Sequence, residues 1–382
     1  MKRETTILRQ ARICLMVLAL YGGCAVWAQE IKIGNYTFKD GAEYQGELFK
    51  GKPWGRGTTV FKNGDVYEGK YVKGKREGYG VYRFLDGEKY EGEWFHDQQH
   101  GHGTFYFSNN NRYEGMWYRD FQHGDGTMYY YNGDVYKGNW NEDKREGYGE
   151  YVYANGAFYR GQWKADRKEG QGLFDWKDGS KYEGEWKDNQ RNGHGTFNYA
   201  SGDEYTGEWV DDIQHGKGIY RFHNGDVYEG DYVQGERTGS GIFTFANGNK
   251  YVGRFKNGEQ DGQGTFTWHN GASYVGTWKA NRRDGQGKYT WSNGDVYEGD
   301  WKAGLMDGEG ILRMADGAKF KGTFRGGEKN GPGILVDTDG VRFEGTFKDN
   351  EKDGPYVLKD KDGRVTETGV YSFGVVVSKE EK

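Results

Sequence analysis

The 382-residue chain carries 53 Lys and Arg against 58 Asp and Glu, which gives a formal net charge of −5. Its composition is unusual, because 67 residues are glycine and 17% are aromatic, whereas hydrophobic residues make up only 34%. So few aliphatic residues argue against the thick core of a compact α/β enzyme, and so many aromatic residues argue against a disordered chain. The acidic balance argues against nucleic acid as a partner.

Residues 1–28 differ from the rest of the chain. Four basic residues, at positions 2, 3, 9 and 12, precede an apolar run from Ile13 to Tyr21, and small residues lie three and one positions before Gln29. This is the pattern of a secretory signal peptide, and the apolar run is too short to cross a bilayer as a permanent helix. We therefore predict cleavage after Ala28 and a periplasmic or secreted protein.

Both cysteines, Cys14 and Cys24, lie in this segment. Cleavage after Ala28 leaves a cysteine-free protein, which has neither a disulfide nor a thiolate metal site. A second interpretation stays open, because Gly22-Gly23-Cys24 resembles a bacterial lipobox, although Tyr21 departs from the small or aliphatic residue expected there. That interpretation predicts a lipoprotein anchored through Cys24.

The remaining chain repeats every 23 residues. Three glycines in each repeat keep this spacing. The second recurs from Gly55 to Gly354, and the third recurs from Gly57 to Gly333 before Tyr356 replaces it. Such regularity is the signature of a repeat protein. The first glycine belongs to an aromatic-x-Gly tripeptide that recurs fourteen times without insertion or deletion, at Gly46, Gly69, Gly92, Gly115, Gly138, Gly161, Gly184, Gly207, Gly230, Gly253, Gly276, Gly299, Gly322 and Gly345.

Each repeat has the pattern of two short β-strands. Asn-Gly or Asp-Gly dipeptides such as Asn63-Gly64 recur in most repeats, and we predict type I′ hairpin turns there. Between the turns the residues alternate, so that Tyr67, Gly69 and Tyr71 share one face of the strand. An aromatic ring can lie flat on a neighbouring glycine, which allows a single-layer sheet to bury apolar area without a second layer.

These residues resemble the MORN (membrane occupation and recognition nexus) repeat family. The resemblance is carried by residues 63–71, of sequence Asn-Gly-Asp-Val-Tyr-Glu-Gly-Lys-Tyr, and by residues 182–188 and 192–197. It implies an all-β fold, an elongated single-layer antiparallel sheet of tandem β-hairpins with an aromatic-lined groove. We predict a signal peptide in residues 1–28, an N-terminal cap in 29–39, fourteen repeats in 40–356, and a degenerate C-terminal repeat or cap in 357–382.

The candidate binding residues are tryptophans that share one repeat position. Two interpretations stay open, since the rings either pack on glycine and act only in folding or also line a groove for a peptide, lipid or glycan. The tryptophans are Trp94, Trp117, Trp140, Trp163, Trp186, Trp209, Trp278 and Trp301. The structural glycines under the rings are predicted at Gly69, Gly92, Gly115, Gly138, Gly161 and Gly184.

No catalytic residue, metal site or cofactor is predicted. Equivalent positions in adjacent repeats, such as His100 and His123, are about 10 Å apart, which is too far for ligands of one zinc ion. We therefore predict a non-catalytic scaffold for interaction with a protein partner or with itself in the cell envelope. The alternative is a module that binds membrane lipid or glycan through the aromatic groove, and nucleic acid is not expected.

Overall fold

The computed structural model describes residues 30–382, so the predicted signal peptide, its cleavage site and Cys24 lie outside the described residues. Residues 30–105 and residues 106–382 form two compact units. The regular secondary structure within residues 30–382 consists entirely of β-strands.

The strands alternate between about seven and nine residues in length. The first unit contains β1 (Lys32–Thr37), β2 (Glu43–Phe49), β3 (Lys52–Val60), β4 (Val66–Val72), β5 (Lys75–Arg83) and β6 (Lys89–Phe95), and β7 (Gln98–Tyr106) reaches the unit boundary. The second unit contains β8 (Arg112–Tyr118), β9 (Phe121–Tyr129), β10 (Val135–Asn141), β11 (Lys144–Val152), β12 (Phe158–Lys164), β13 (Arg167–Asp175), β14 (Lys181–Lys187), β15 (Gln190–Asn198), β16 (Glu204–Val210), β17 (Ile213–Arg221), β18 (Val227–Val233), β19 (Glu236–Thr244), β20 (Lys250–Lys256), β21 (Glu259–Thr267), β22 (Ser273–Lys279), β23 (Arg282–Thr290), β24 (Val296–Lys302), β25 (Leu305–Arg313), β26 (Lys319–Arg325), β27 (Glu328–Val336), β28 (Arg342–Lys348), β29 (Glu351–Lys359), β30 (Val365–Ser372) and β31 (Val375–Glu381).

Neighbouring strands of each unit pair antiparallel in chain order. Within the hairpin of β4 and β5, Gly69 lies opposite Gly80. The next pairing repeats this register, with Gly80 opposite Gly92 on β6. The same register recurs in the second unit, for example between β16 and β17. The predicted fold class, an all-β single-layer antiparallel sheet of tandem hairpins, is therefore confirmed.

The connection inside each hairpin is a two-residue turn. In Lys73-Gly74, both residues have positive φ, 55° and 85°. The same pair of positive φ values recurs at Glu142-Asp143 and at Ala165-Asp166. Positive φ at both central residues is the type I′ geometry of tight hairpins. The polar segment between the two strands of a repeat therefore holds the tight turn.

The Asn-Gly and Asp-Gly turns join successive hairpins and differ in type, so the prediction of type I′ geometry there is wrong. In the loop 61–65 the Phe61 N–H donates to the Asp65 carbonyl oxygen (2.9 Å) and the Gly64 N–H donates to the Phe61 carbonyl oxygen (3.0 Å). Of residues 61–65, only Gly64 has positive φ, 93°. The closing pair leaves three loop residues rather than two, which favours a type I turn followed by one left-handed residue.

The nine-residue strand of the hairpin contains a β-bulge. Gly69 pairs with Gly80 but Tyr71 pairs with Arg76, so three residues of β5 lie between these pairs where β4 has one. The bulge includes Gly78, whose φ of 63° is rarely adopted by residues with a side chain. Arg76 is an even number of residues from Gly78 and Gly80, so the bulge keeps it on the aromatic face, and its side chain lies over the aromatic rings.

The chain ends extend the sheets beyond the fourteen predicted repeats. β1 adds one strand before the first full hairpin, with Gly34 opposite Gly46. β30 and β31 add one further hairpin, and Gly369 on β30 pairs with Tyr356 on β29. All seven residues of β31 are exposed.

Candidate functional site

A column of tyrosines forms the buried layer of the aromatic face. The ring of Tyr159 is fully buried, and a Cβ atom added at Gly161 or Gly172 would lie less than 3.0 Å from its hydroxyl oxygen. The Tyr159 hydroxyl donates to the Gln162 carbonyl oxygen at 2.9 Å. The other predicted structural glycines, Gly69, Gly92, Gly115, Gly138 and Gly184, are covered in the same way by the tyrosine two residues earlier.

The eight tryptophans proposed as binding residues lie between these tyrosines. Trp163 contacts Tyr136 and Tyr159 edge to face, with ring centroids 5.4 and 5.2 Å apart. Its indole N–H donates to the Gly149 carbonyl oxygen at 3.3 Å. All eight tryptophans are only 3–6% exposed. Their burial accounts for a structural role, and ligand binding by these rings stays a prediction.

A basic residue covers the outer face of many of these rings, and the sequence analysis missed it. The Arg145 guanidinium lies 4.3 Å from the Trp163 ring centroid and 5.5 Å from that of Tyr151. This is the geometry of a cation–π contact. The position is the one between the tight turn and the bulge, and a basic residue there recurs at the repeat spacing. It holds Arg76, Arg145, Lys168, Arg191, Arg237, Arg283, Lys329 and Lys352.

An aspartate in the tight turn of the following hairpin accompanies three of these arginines. Asp166 Oδ1 accepts hydrogen bonds from the Arg145 backbone N–H (3.0 Å) and from Nε (2.9 Å). Asp212 makes the same two bonds with Arg191, both at 2.9 Å. In the first unit Asp97 accepts from the Arg76 backbone N–H at 2.8 Å. The cation over the ring is thus partly neutralised by the next repeat.

Side-chain hydrogen bonds also join successive Asn-Gly turns. Asp65 accepts from the Tyr82 hydroxyl (2.7 Å) and from the Leu85 N–H (2.9 Å), one repeat later. Burial raises the pKa of the Asp65 carboxyl, but these bonds outweigh burial and leave the pKa below its usual value. Asp203 makes the corresponding contacts with Tyr220 and His223. The bonds from His223 lower the pKa of Asp203 to about 2.

The repeat position that holds His100 and His123 holds a carboxylate in other repeats, such as Glu146 and Asp284. These two carboxylates have a structural role. Glu146 accepts from the Ala165 N–H at 2.9 Å, and Asp284 accepts from the Ala303 N–H at 3.2 Å. Each carboxylate therefore bonds to the tight turn of the following hairpin. Within residues 30–382, no group of three or more His, Cys, Asp or Glu side chains has a geometry that could hold a metal ion.

The opposite, polar face carries a groove in the second unit. In earlier repeats the central row of this face holds charged residues such as Lys137, Arg160 and Glu183. Between β16 and β22 that row becomes mainly uncharged, and Glu229 is its one charged member. The uncharged row, here called the aliphatic strip, consists of Thr206, Ile219, Ile242, Val252, Thr265 and Val275.

The aliphatic strip forms part of the floor of a groove of about 790 Å³. Val252 and Val275 are 45% and 51% exposed, so the apolar surface is accessible. The rim includes Glu208, Lys217 and Arg254. The groove therefore combines a mainly uncharged floor, which Glu229 interrupts, with charges of both signs at its edge.

A second cleft, of about 530 Å³, lies on the aromatic face of the same unit. Tyr153, Phe174, Trp176 and Trp186 contribute aromatic walls, and Lys168 and Arg191 lie among them. Trp176 and Phe174 are in contact, with ring centroids 4.3 Å apart. Through this cleft a ligand can contact parts of the aromatic rings that line it.

The MORN repeat family model matches the chain thirteen times in succession. The matches are contiguous, at residues 44–66, 67–89, 90–112, 113–135, 136–158, 159–181, 182–204, 205–227, 228–250, 251–273, 274–296, 297–319 and 320–342. The chain belongs to the MORN repeat family. The predicted recognition is confirmed, and the fourteenth predicted repeat, which lies beyond the last match, forms the MORN-like hairpin of β28 and β29.

Solved structures similar to this MORN protein share only low sequence identity with it. The TCP10 domain of Danio rerio CPAP in complex with a peptide of Danio rerio STIL is 12% identical over 58% of this chain and 93% of its own, with a TM-score of 0.33. The SAS-4 (dCPAP) TCP domain of Drosophila melanogaster, in complex with a proline-rich motif of Ana2 (dSTIL), is 15% identical over 63% of this chain and 99% of its own, with a TM-score of 0.24. These TM-scores are too low for either structure to inform function. Comparison with curated protein sequences finds no match.

Membrane-spanning helices are absent from the part of the MORN protein that the structure describes. No helix within residues 30–382 is both long enough and apolar enough to cross a bilayer.

Proposed function

We propose that this MORN protein is a non-catalytic, exported scaffold that binds an extended segment of a partner protein in the cell envelope. The observation that carries the proposal is the aliphatic strip in the groove of the polar face. An accessible apolar surface on an otherwise charged face is typical of an interaction site.

The size of the strip fits a short stretch of extended polypeptide. It runs from Thr206 on β16 to Val275 on β22, across seven consecutive strands. A strand spacing of about 4.8 Å gives the strip a length of about 29 Å, which about nine residues of extended chain would span. A polypeptide of that length can place several aliphatic side chains on the strip.

The rim of the groove favours a partner of mixed charge. Lys217 forms an ion pair with Asp231, and Glu208 accepts from the Lys217 backbone N–H at 3.2 Å. Arg254 lies further along the same rim. Charges at the edge of an interface contribute to specificity and to the association rate more than to affinity. The partner segment therefore carries apolar residues in its centre and polar residues at its ends.

Photocrosslinking in the cells that make the protein tests this proposal. A photoreactive phenylalanine at Val252 should form a discrete crosslinked product, and the same residue at Val81, on the polar face of the first unit, should not. The substitution Ile242→Glu should remove the product, and Glu150 already occupies the equivalent position four repeats earlier. Equal products from positions 252 and 81, or a product that Ile242→Glu leaves unchanged, would refute the groove as the binding site.

The same experiment distinguishes a partner protein from self-association. A product of twice the mass of the chain supports binding to a second copy, and any other discrete mass supports a separate partner. Flotation with liposomes of envelope lipids tests the alternative of membrane binding. Flotation at both low and physiological salt would favour lipid over protein as the ligand, since electrostatic attachment alone weakens with salt.

Export rests on the sequence of residues 1–28 and is tested separately. Mass spectrometry of the protein from the envelope fraction should find an N-terminus at Gln29. A lipid-modified N-terminus at Cys24, lost in Cys24→Ser, would instead establish the lipoprotein alternative. An unprocessed N-terminus in the cytosolic fraction would contradict export.

A further inference from the structure

The basic residues over the rings differ in how their charge is balanced. Arg145 and Arg191 each bond to an aspartate of the next tight turn, Asp166 and Asp212 respectively. Lys168 lies between these two arginines in the repeat order. Its corresponding turn residue is Asn189, whose Oδ1 accepts from the Lys168 backbone N–H at 2.9 Å. An amide carries no charge, so this repeat lacks the internal counter-ion.

The Lys168 ammonium is surrounded by aromatic rings. Its nitrogen lies 4.5 Å from the Trp186 centroid, 4.6 Å from that of Phe174 and 5.4 Å from that of Tyr159. Within residues 30–382, no carboxylate oxygen lies within 4.0 Å of this nitrogen. Ring faces attract a cation but do not replace an anion, because they accept no proton and carry no net charge.

The local charges leave an excess of one positive charge at this point. Arg145 is balanced by Asp166 and Arg191 by Asp212, while Lys168 has no partner. Burial, opposed by the charge of Asp212 and assisted by those of Arg145 and Arg191, lowers the pKa of Lys168 to about 8. The ammonium therefore remains largely charged at pH 7 and its positive charge is unneutralised.

The aromatic cleft of about 530 Å³ opens onto this ammonium. Tyr153 and Trp176 line it, and Lys168 lies over the ring of Trp186. A ligand in the cleft would thus meet flat apolar walls and a single uncompensated cation. A singly charged anion would neutralise the site, whereas a doubly charged phosphate would leave a negative charge beside Asp212.

We propose that this cleft binds a carboxylate carried on a flat apolar body, with the carboxylate on Lys168 and the body against the rings of Tyr153 and Trp176. The site lies on the aromatic face, opposite the groove with the aliphatic strip, so it does not depend on the proposed function. The carboxylate comes either from a small organic acid or from an acidic side chain next to an aromatic residue in a polypeptide.

Calorimetric titration of the purified protein tests the ligand chemistry. The probes are 3-phenylpropionate, its uncharged amide, and phenyl phosphate. We expect 3-phenylpropionate to bind at least about tenfold more tightly than either of the other two probes, because one charge-assisted hydrogen bond contributes about that factor in affinity. Equal binding of the amide, or tighter binding of phenyl phosphate, would overturn the proposal.

Acetyl-Phe-Glu-amide distinguishes the two sources of the carboxylate. It presents a similar acid from a blocked peptide chain. Tighter binding of this peptide than of 3-phenylpropionate supports a polypeptide source, and weaker binding supports a free organic acid. In both cases the peptide with Gln in place of Glu should bind more weakly than acetyl-Phe-Glu-amide. Equal affinities of the two peptides would overturn the proposal.

Two substitutions test the role of Lys168 without altering the framework. Lys168→Gln removes the charge, and glutamine already occupies this position at Gln99, Gln122, Gln214 and Gln260. Asn189→Asp supplies the internal carboxylate found at Asp166 and Asp212. Each should weaken binding of 3-phenylpropionate by about tenfold.

The matched control is Lys329→Gln, because Lys329 also faces an asparagine turn, at Asn350. It should leave binding of 3-phenylpropionate unchanged. Thermal melting of each variant verifies that the sheet is intact. Unchanged affinity in both Lys168→Gln and Asn189→Asp would refute the site, as would equal losses in the Lys329→Gln control.

Discussion

At the scale of single residues, the tyrosine, the tryptophan and the basic residue of one repeat contribute to its stability in different ways. Tyr159 covers two glycines and bonds to the Gln162 carbonyl oxygen. Trp163 fills the space between two tyrosines and bonds to the Gly149 carbonyl oxygen. Arg145 then covers the outer side of the indole. The stability of one repeat therefore depends on a small set of side chains with few alternatives.

Trp163→Ala should destabilise the protein by about 2–4 kcal/mol, because it opens a cavity under Arg145 and leaves the Gly149 carbonyl oxygen without its bond. Urea unfolding measures the loss. Trp163→Tyr is the matched control, since Tyr232 occupies the same position in a later repeat and is 3% exposed, and it should cost much less. Unchanged melting of Trp163→Ala would show that the indole does not contribute to folding.

At the scale of the hairpin, side-chain bonds join elements that the strand register alone does not connect. Asp203 lies in one Asn-Gly-type turn and bonds to the backbone and ring of His223 in the next. Asp212 does the equivalent at the tight turns on the other edge, with Arg191. Each hairpin is thus fixed to its neighbour at both ends as well as along its strands.

The contribution of Asp203 to the free energy of unfolding should decrease as the pH falls. Its pKa is lowered from the ordinary value of about 3.9 to about 2 by the bonds from His223. The stabilisation is therefore present above pH 4 and is lost as the pH falls through about 2. Asp203→Asn should be less stable than the parent at pH 5 by an amount that shrinks towards pH 2. Asn111 and Asn249 occupy the same position, so the asparagine fits, and a difference that is constant across this pH range would contradict the assignment.

At the scale of the whole molecule, stability should be close to a sum over repeats, because strands contact mainly their sequence neighbours. The family model divides residues 44–342 into contiguous units of equal length. Removal of one complete unit should consequently preserve both the face alternation and the pairing of glycines. Removal of one residue fewer should place the aromatic side chains on the wrong face.

Deletion of residues 228–250, one complete unit, should give a protein that folds and melts cooperatively with nearly unchanged circular dichroism per residue. Deletion of residues 228–249 is the control and should lower the free energy of unfolding by several kcal/mol, because a register slip exposes buried rings. Equal stability of the two deletions would argue against the face alternation as the source of stability.

The sequence predicted the fold well because glycine and tyrosine recur at fixed positions that only a paired strand explains. It did not predict the turn types, since Asn63-Gly64 suits both a two-residue and a three-residue loop and only the closing pair Phe61–Asp65 decides. The missed basic row has a similar cause. Arg145 belongs to a polar segment and looks like a surface residue in the sequence, whereas in the structure its guanidinium lies over Trp163.

Tyr356 shows how a local exception to the pattern is accommodated. The third glycine of the repeat is absent there, and the tyrosine lies opposite Gly345. The Phe343 ring covers Gly345 as in the other repeats, and it also stacks on Tyr356 with ring centroids 5.5 Å apart. The sequence revealed the loss of the glycine, but the stacking of the two rings is visible only in three dimensions. Similarly, the cleft beside Lys168 depends on Tyr153 and Asn189, which lie before and after Lys168 in sequence.

The edge-to-face rows also determine how the protein responds to light. Tyr159 and Trp163 have ring centroids 5.2 Å apart, and the same contact recurs in repeat after repeat. At such separations an excited tyrosine passes its energy to the adjacent indole before it can emit. The intact protein should therefore fluoresce almost wholly as tryptophan when tyrosine is excited, and should show a strong near-ultraviolet circular dichroism signal from its coupled rings. The appearance of tyrosine emission would then report the opening of individual repeats without any added label.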